Sequence, residues 1–339
     1  GFHQNQQSYF GVTAYKAQQT NGYANLQYEF SYKNNSSLKT GISYRHLNLS
    51  ENISFSNNNL NRTYAGKYDK VENIPGIFAE NTLNIAGDKL TWIAGIRADH
   101  HNQFGWEVTP RTLLKYEVTE SLNLRGSIGT GWRTVNIFSE NIGLLVSSRD
   151  IIFTEVLQPE KAINLGFNAT QKFRSANVEG YVSVDFYRTN FQNQIFPDYD
   201  ATPTKAIIKN FNGKSVSNGF QAEVSGTFFE MFAAKMGYVF LDVYQMKGEA
   251  KDVLPFNPKH RFNSSASFMP RSKKWHLDAN VHWYGQQRLP TTKNNPVVYQ
   301  MPDKSEGYTI VNAQFTYNLK RFEVYAGTEN IFNFRQNKP

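Results

Sequence analysis

The chain has 339 residues, a formal net charge of +8, 15% aromatic residues and no cysteine, with a mean hydropathy of −0.56. No apolar run approaches the ~18 residues of a membrane-spanning helix, and without cysteine there is no disulfide framework, thiolate metal site or cysteine nucleophile. Lys and Arg are spread along the whole chain without a basic block, zinc-ligand spacing or an RNA-binding aromatic signature, which argues against nucleic acid as a partner. The sequence opens at Gly1 without a signal-peptide pattern, so a removed leader or a missing N-terminus is expected.

Strand-like alternation recurs from end to end. It begins with Ser8 to Ala17, "SYFGVTAYKA". In "GYANLQYEFSYK", Ala24, Leu26, Tyr28, Phe30 and Tyr32 fall on one side and Asn25, Gln27, Glu29 and Ser31 on the other. "KLTWIAGIRAD" sets Leu90, Trp92, Ala94 and Ile96 against Thr91, Gly95, Arg97 and Asp99. "NGFQAEVSGTF" sets Phe220, Ala222, Val224 and Phe228 against Gln221, Glu223, Ser225 and Thr227. In "KKWHLDANVHWYG", Trp275, Leu277, Ala279, Val281 and Trp283 oppose His276, Asp278, Asn280, His282 and Tyr284. "YTIVNAQFTYNL" separates Val311, Ala313, Phe315 and Tyr317 from Asn312, Gln314, Thr316 and Asn318, and the series closes at Arg321 to Phe332. Period-two alternation with turn residues between segments predicts roughly fifteen strands, each with one apolar and one polar face.

The spacers alternate too. Short polar turns are expected at 33–37, 86–89, 119–121, 173–177, 270–274 and 318–321, and long connections at 48–73, 133–159, 190–216, 247–258 and 286–306. In an up-and-down meander every second connection lies on the same end. The pattern therefore predicts a transmembrane β-barrel with short turns on one side and long loops on the other, rather than a Greek-key sandwich.

Trp275 and Trp283 supply a length check. Eight residues at ~3.3 Å each, tilted by ~40°, give a height of ~20 Å, close to the ~25 Å lipid-facing band flanked by aromatic girdles. The pair is predicted to mark the two membrane interfaces. A polar inward face needs water or a polar plug, and only a wide barrel has room for either. Gly41, Gly95, Gly129, Gly237 and Gly327 fall at inward positions, where close approach of another chain segment and relief of sheet curvature are both open.

From Gly76 to Asn141 the chain resembles the C-terminal barrel of TonB-dependent outer-membrane receptors. The matching pieces are Phe-Ala-Glu at Phe78 to Glu80, Gly-Ile-Arg-Ala-Asp at Gly95 to Asp99, Thr-Pro-Arg at Thr109 to Arg111, and Gly131-Trp132-Arg133 leading into Phe138 and Glu140. Leu157 to Phe167 and Glu329 to Gln336 look like two more family landmarks. The resemblance implies a barrel of about 22 strands, of which these would be the seventh to the twenty-first. On it, residues 1–339 are expected to form part of that barrel, without its plug domain and its closing strand.

The resemblance further implies an outer-membrane receptor of a Gram-negative bacterium, surrounded by lipid and lipopolysaccharide. Such a receptor imports a scarce solute, a siderophore-iron complex, cobalamin or similar, with energy from the TonB complex through the plug. Candidate ligand contacts near the external strand ends are Trp106, Trp132, Arg133, Arg149, Tyr187, Phe196 and Tyr199; a girdle aromatic or a lipopolysaccharide-facing cation is the alternative for each. His100 and His101 adjoin a short external connection, and adjacent strand residues point to opposite faces, so one faces the lumen. No second metal ligand sits at a diagnostic spacing, haem and copper are unsupported, and no cofactor is expected. A passive porin shares the alternation but lacks the Gly-Trp-Arg and Thr-Pro-Arg landmarks. An enzyme is not expected, since neither a Gly-x-Ser-x-Gly elbow nor a His-Glu-x-x-His motif occurs.

Overall fold

The computed structural model describes residues 1–32, 35–57, 62–87 and 89–336. The predicted turns at 33–37 and 86–89, the connection at 48–73 and the end of the chain each include positions outside the described residues. The first half contains β1 (Phe2–Phe10), β2 (Thr13–Tyr32), β3 (Ser36–Phe55), β4 (Gly66–Ile85), β5 (Leu90–His101), β6 (Gly105–Glu117) and β7 (Leu122–Arg133). Two single-turn helices, α1 (Ile137–Glu140) and α2 (Gly143–Val146), then lead through β8 (Asp150–Phe153) to β9 (Glu160–Ser175) and β10 (Val178–Gln192). The second half adds β11 (Asp198–Thr202), β12 (Lys205–Ile208), β13 (Ser215–Phe228), β14 (Phe232–Lys247), β15 (Ala250–Val253), β16 (His260–Phe268), β17 (Trp275–Tyr284), β18 (Tyr308–Asn318) and β19 (Glu323–Thr328).

Fifteen of these strands form one continuous antiparallel sheet in chain order from β1 to β19, with β8, β11 and β12 left out and β15 attached to the top of β14. The wall is an open section of barrel. Its connections divide as the spacer pattern predicts: 134–159, 193–214, 248–259 and 285–307 lie at one end, and tight turns such as 176–177 and 229–231 at the other. The last of these is a hairpin turn that alternation did not predict. Phe229 and Glu230 both sit at positive φ, 53° and 57°, the left-handed backbone of a primed turn that matches strand twist.

Two expectations are corrected. Ser8 to Ala17 is not one strand but the hairpin between β1 and β2, with Gly11 at φ 59° in the turn. The connection predicted at 48–73 is mostly strand, because β3 runs on to Phe55 and β4 begins at Gly66. At 20 residues each, β2, β3 and β4 exceed the 9–11 residues that span a bilayer, so about half of each projects beyond it.

The two faces differ as the alternation requires. Leu26, Ile42, Ile77, Ile96, Ile128 and Trp283 are exposed on the outer face. A row of outward phenylalanines crosses four strands, with Phe186 directly opposite Phe167 and Phe220, and Phe220 opposite Phe240; each such pair adds about 0.2–1 kcal/mol. The inner face of the spanning section is polar and ion-paired, as in Arg97 with Asp99 (2.6 Å), Arg111 with Glu80 (2.5 Å) and Lys235 with Glu223 (3.0 Å). The inward glycines make room for neighbouring side chains: a Cβ at Gly41 would meet the Phe78 ring at 2.7 Å, and one at Gly129 would meet Arg111 at 3.2 Å.

A third correction concerns the upper wall. Where β2, β3 and β4 leave the membrane band, the inward face turns apolar and buried, with Tyr15, Ala17, Leu47, Leu49, Ile53 and Ile74 all below one-tenth exposure. The apolar side switches parity along each strand, from outward Leu26 and Ile42 to inward Tyr15 and Ile53. What covers it are the long loops.

Candidate ligand vestibule

The connection after β7 folds inward instead of projecting into solvent. Its Ile137, Phe138, Leu144, Leu145 and Ile151 pack with Tyr15 and Ile53 of the wall and Tyr64 of the connection between β3 and β4, and Ile195, Ala206 and Ile208 from the connection after β10 join the same cluster. The two connections are joined by backbone, since β8 pairs in parallel with β12, from Asp150 opposite Lys205 to Phe153 opposite Ile208. Asp150 also accepts hydrogen bonds from the Thr63 amide (2.7 Å) and hydroxyl (3.1 Å), tying the hairpin of β3 and β4 to the same unit.

A buried polar line fixes the base of this unit. The Tyr15 hydroxyl donates to Glu51 at 2.7 Å. Lys70 Nζ donates to Asn136 Oδ1 (2.7 Å) and the Val135 carbonyl (3.3 Å) and pairs with Glu72 at 2.9 Å. Glu72 also accepts from the Thr134 hydroxyl. Burial pushes the Glu51 carboxyl above its ordinary range, and burial with the Glu51 contact drives the Tyr15 hydroxyl far up. Burial acts on Glu72 in the same sense, but donors from Thr134 and Lys70 outweigh it and hold that carboxyl low.

Of the predicted contacts, Arg149, Tyr199 and Phe196 come together. The Arg149 guanidinium lies 5.5 Å from the Tyr199 ring, and Tyr199 meets Phe196 (6.2 Å) and Phe256 (5.8 Å) edge-on. Burial raises the Tyr199 hydroxyl pKa, against an opposing effect of Arg149. Arg133 bridges Glu160 (2.6 Å) and Glu140 (3.0 Å), while the other oxygen of Glu160 accepts from the Ile195 amide at 2.6 Å. A cleft of about 400 Å³ opens between Arg133, Glu140, Glu160, Phe191, Gln194 and Phe196. Trp132 sits edge-on to His101 at 5.9 Å and 6.0 Å from the Arg45 guanidinium.

Tyr187 lies lower on the inner wall, packed over Gly166 and Gly219, with its hydroxyl donating to Asp185 at 3.0 Å. Trp106 stands apart from all the others: it is 64% exposed and borders an outward groove with Leu26, Ile42, Tyr44 and Ile77. Of the histidine pair, His101 is fully buried beside Glu72 (3.4 Å), and His100 packs on Trp106 at 5.1 Å. Trp283 is exposed on the outer face, and Trp275 packs between Phe268 and Phe315 of the neighbouring strands. Among the described residues no group of three or more His, Cys, Asp or Glu is placed to hold a metal.

Sequence reasoning missed Phe256 and a salt-bridge network that links three loops. Arg288 pairs with Asp200 and lies 3.6 Å from Asp252, and Lys247 bridges Asp252 (2.8 Å) and Asp198 (3.7 Å). Apart from Lys247 and Asp252, these partners lie tens of residues apart, and no spacing signals them.

An antiparallel wall with a lipid-type outer face, a polar inner face and loops folded across one mouth defines a receptor-type transmembrane barrel. The family model for the TonB dependent receptor-like β-barrel matches residues 1–331, and the chain belongs to that family. It is 24% identical over 287 residues to the ferric enterobactin receptor of Pseudomonas aeruginosa, covering 76% of this chain, and 22% identical over 286 residues to the ferrienterobactin receptor of Escherichia coli, covering 79%. The chain spans 37% of the length of each of these relatives. The ferripyoverdine receptor of the outer membrane of Pseudomonas aeruginosa, solved with ferripyoverdine bound, superimposes with a TM-score of 0.71 at 14% identity, over 95% of this chain and 46% of that one.

Proposed function

We propose that this chain forms part of the wall and mouth of an outer-membrane receptor in a Gram-negative bacterium, which captures an iron-siderophore complex and imports it with energy from TonB. The observation that carries the reading is the inward-folded loop unit: the connections after β7 and β10, joined through β8 and β12, roof the polar interior of a lipid-facing wall. A roof of this kind makes a concave, partly apolar pocket with a few fixed polar groups, the setting in which small ligands are held. Trp132, Arg133, Arg149, Phe196 and Tyr199 are the ligand contacts we assign to it, with Tyr187 further down the path. Coupling to TonB would run through a plug domain, and lipid with lipopolysaccharide would surround the outer face. That the two relatives are receptors for ferric enterobactin supports iron-siderophore cargo over cobalamin.

The test is uptake of radiolabelled ferric enterobactin by iron-starved cells that express the full-length receptor. Uptake should vanish when TonB is lost and when residues 133–158 and 190–215 are both deleted. Uptake that survives loss of TonB would instead favour a passive pore, and uptake that survives the double deletion would refute the loop assignment.

A further inference from the structure

The outward face of β2, β3 and β4 carries an apolar groove of about 500 Å³ that nothing in the transport reading uses. Register explains its shape. Ala24 and Pro75 lie directly opposite Tyr44 on either side, so one tall side chain stands between two short ones. The next row, Leu26, Ile42 and Ile77, forms one wall, and Trp106 from β6 forms the other.

The groove ends at a held polar rim without Lys, Arg, Asp or Glu. Asn73 Oδ1 accepts from the Tyr44 hydroxyl (2.7 Å) and lies 2.9 Å from His46 Nδ1. The Asn73 amide donates to Asn102 Oδ1 at 3.0 Å, and Asn102 Nδ2 donates to the Val71 carbonyl at 3.0 Å. Trp106 is eleven residues above the turn end of β6 at Glu117, which at ~3.3 Å per residue and ~40° tilt is ~28 Å, just past the ~25 Å apolar band. The rim therefore lies at the interface on the long-loop side, and the groove runs down from it into the hydrocarbon of that leaflet.

We propose that this groove seats an acyl chain of an outer-leaflet glycolipid, whose sugar headgroup rests against Trp106 and the rim of Tyr44, His46, Asn73 and Asn102. The groove is continuous with the lipid-facing band, so its occupant in the membrane is a lipid tail. Its rim selects the headgroup: amides, an imidazole and a flat indole suit sugar hydroxyls and the apolar face of a pyranose. No Lys or Arg lines the groove, which disfavours a headgroup recognised through phosphate alone. The proposal rests on the membrane reading of the wall and is independent of the cargo.

Native mass spectrometry of the full-length receptor in detergent, with hexa-acylated lipid A or phosphatidylethanolamine added, tests it. Lipid A should be retained in preference to phosphatidylethanolamine. Ile42→Trp, which fills the groove, and Trp106→Ala, which removes its wall, should each lower lipid A retention about fivefold, while Phe167→Ala, on a distant part of the outer face, should leave it unchanged. Heat-modifiable electrophoretic mobility reports whether each variant is folded, and because both residues are exposed, both should be. Equal retention of the two lipids, undiminished retention in both groove variants, or an equal loss in Phe167→Ala would each overturn the assignment. Loss of iron uptake without loss of groove-dependent lipid A retention would count against the transport reading alone.

Discussion

The Tyr15 hydroxyl donates a 2.7 Å hydrogen bond to Glu51 in a space where Tyr15 is fully buried and Glu51 is 5% exposed. Both residues point inward from strands that have already left the membrane band, and the loop after β7 seals them in. Removing the donor leaves a buried carboxylate short of a partner. Tyr15→Phe should therefore destabilise loop docking by about 1–3 kcal/mol. The expected readout is faster amide exchange across 134–159, with the spanning strands unaffected.

The two acids beneath the loop should give docking a pH optimum. The folded pKa of Glu51 is raised, so its contribution is fully present below the unfolded value and is lost as pH rises through the folded one. Glu72 is lowered, so its contribution is present above the unfolded value and is lost as pH falls through the folded one. Protease sensitivity of 134–159 should be lowest in mildly acidic solution and rise on either side. Glu51→Gln should flatten the alkaline limb alone. An unchanged limb in that variant would remove Glu51 from the account.

Gly76 is packed against the inner-wall ion pair. A Cβ there would overlap Asp99 Oδ1 and come within 2.8 Å of Arg97 Nη2, whereas one at Gly126 would meet nothing within 4 Å. Gly76→Val should cost about 1–3 kcal/mol through overpacking and loss of the pair, and Gly126→Ala should be close to neutral. Urea titration of the full-length receptor in lipid vesicles separates the two.

Charge placed on the two faces should also separate them. Ala279 lies midway between Trp275 and Trp283 on the outer side of β17, and Ser265 pairs with inward Asn280. Ala279→Arg should destabilise by about 2–4 kcal/mol, as charges do at a bilayer midplane, and Ser265→Arg much less. Equal costs in vesicle refolding would contradict the assignment of lipid to the outer face.

Three loops meet at Arg288, which pairs with Asp200 while Asp200 Oδ1 accepts from the Thr291 amide at 2.7 Å. Asp200→Asn should free 285–307 from 193–214, seen as faster proteolysis of both segments. Raising salt should loosen the wild type toward the variant, since these side chains are partly solvent-accessible and screened.

Much of the wall was legible in the sequence because strand facing is a local property. Successive side chains alternate, so Trp275, Leu277, Ala279, Val281 and Trp283 declare one face without reference to any other strand. Spacer length likewise reports the end of the barrel at which a connection lies. The sequence carries one further signal, a change of parity within a strand. In "HLNLSENISF" the apolar residues Leu47, Leu49 and Ile53 have the opposite parity to Ile42 and Tyr44, and that switch marks where β3 leaves lipid and begins to face the loop core.

The loops were not legible in the same way. That Arg149 lies over Tyr199, that Trp106 faces outward while Trp132 meets His101, and that β8 pairs with β12 all depend on contacts between segments tens of residues apart. Alternation along one strand fixes which way a side chain points, but not what folds over it. The sequence by itself therefore determined the barrel, its faces and its two ends. Only the tertiary structure decided that the long loops fold inward as one packed unit, because burial there comes from partners that local periodicity does not encode.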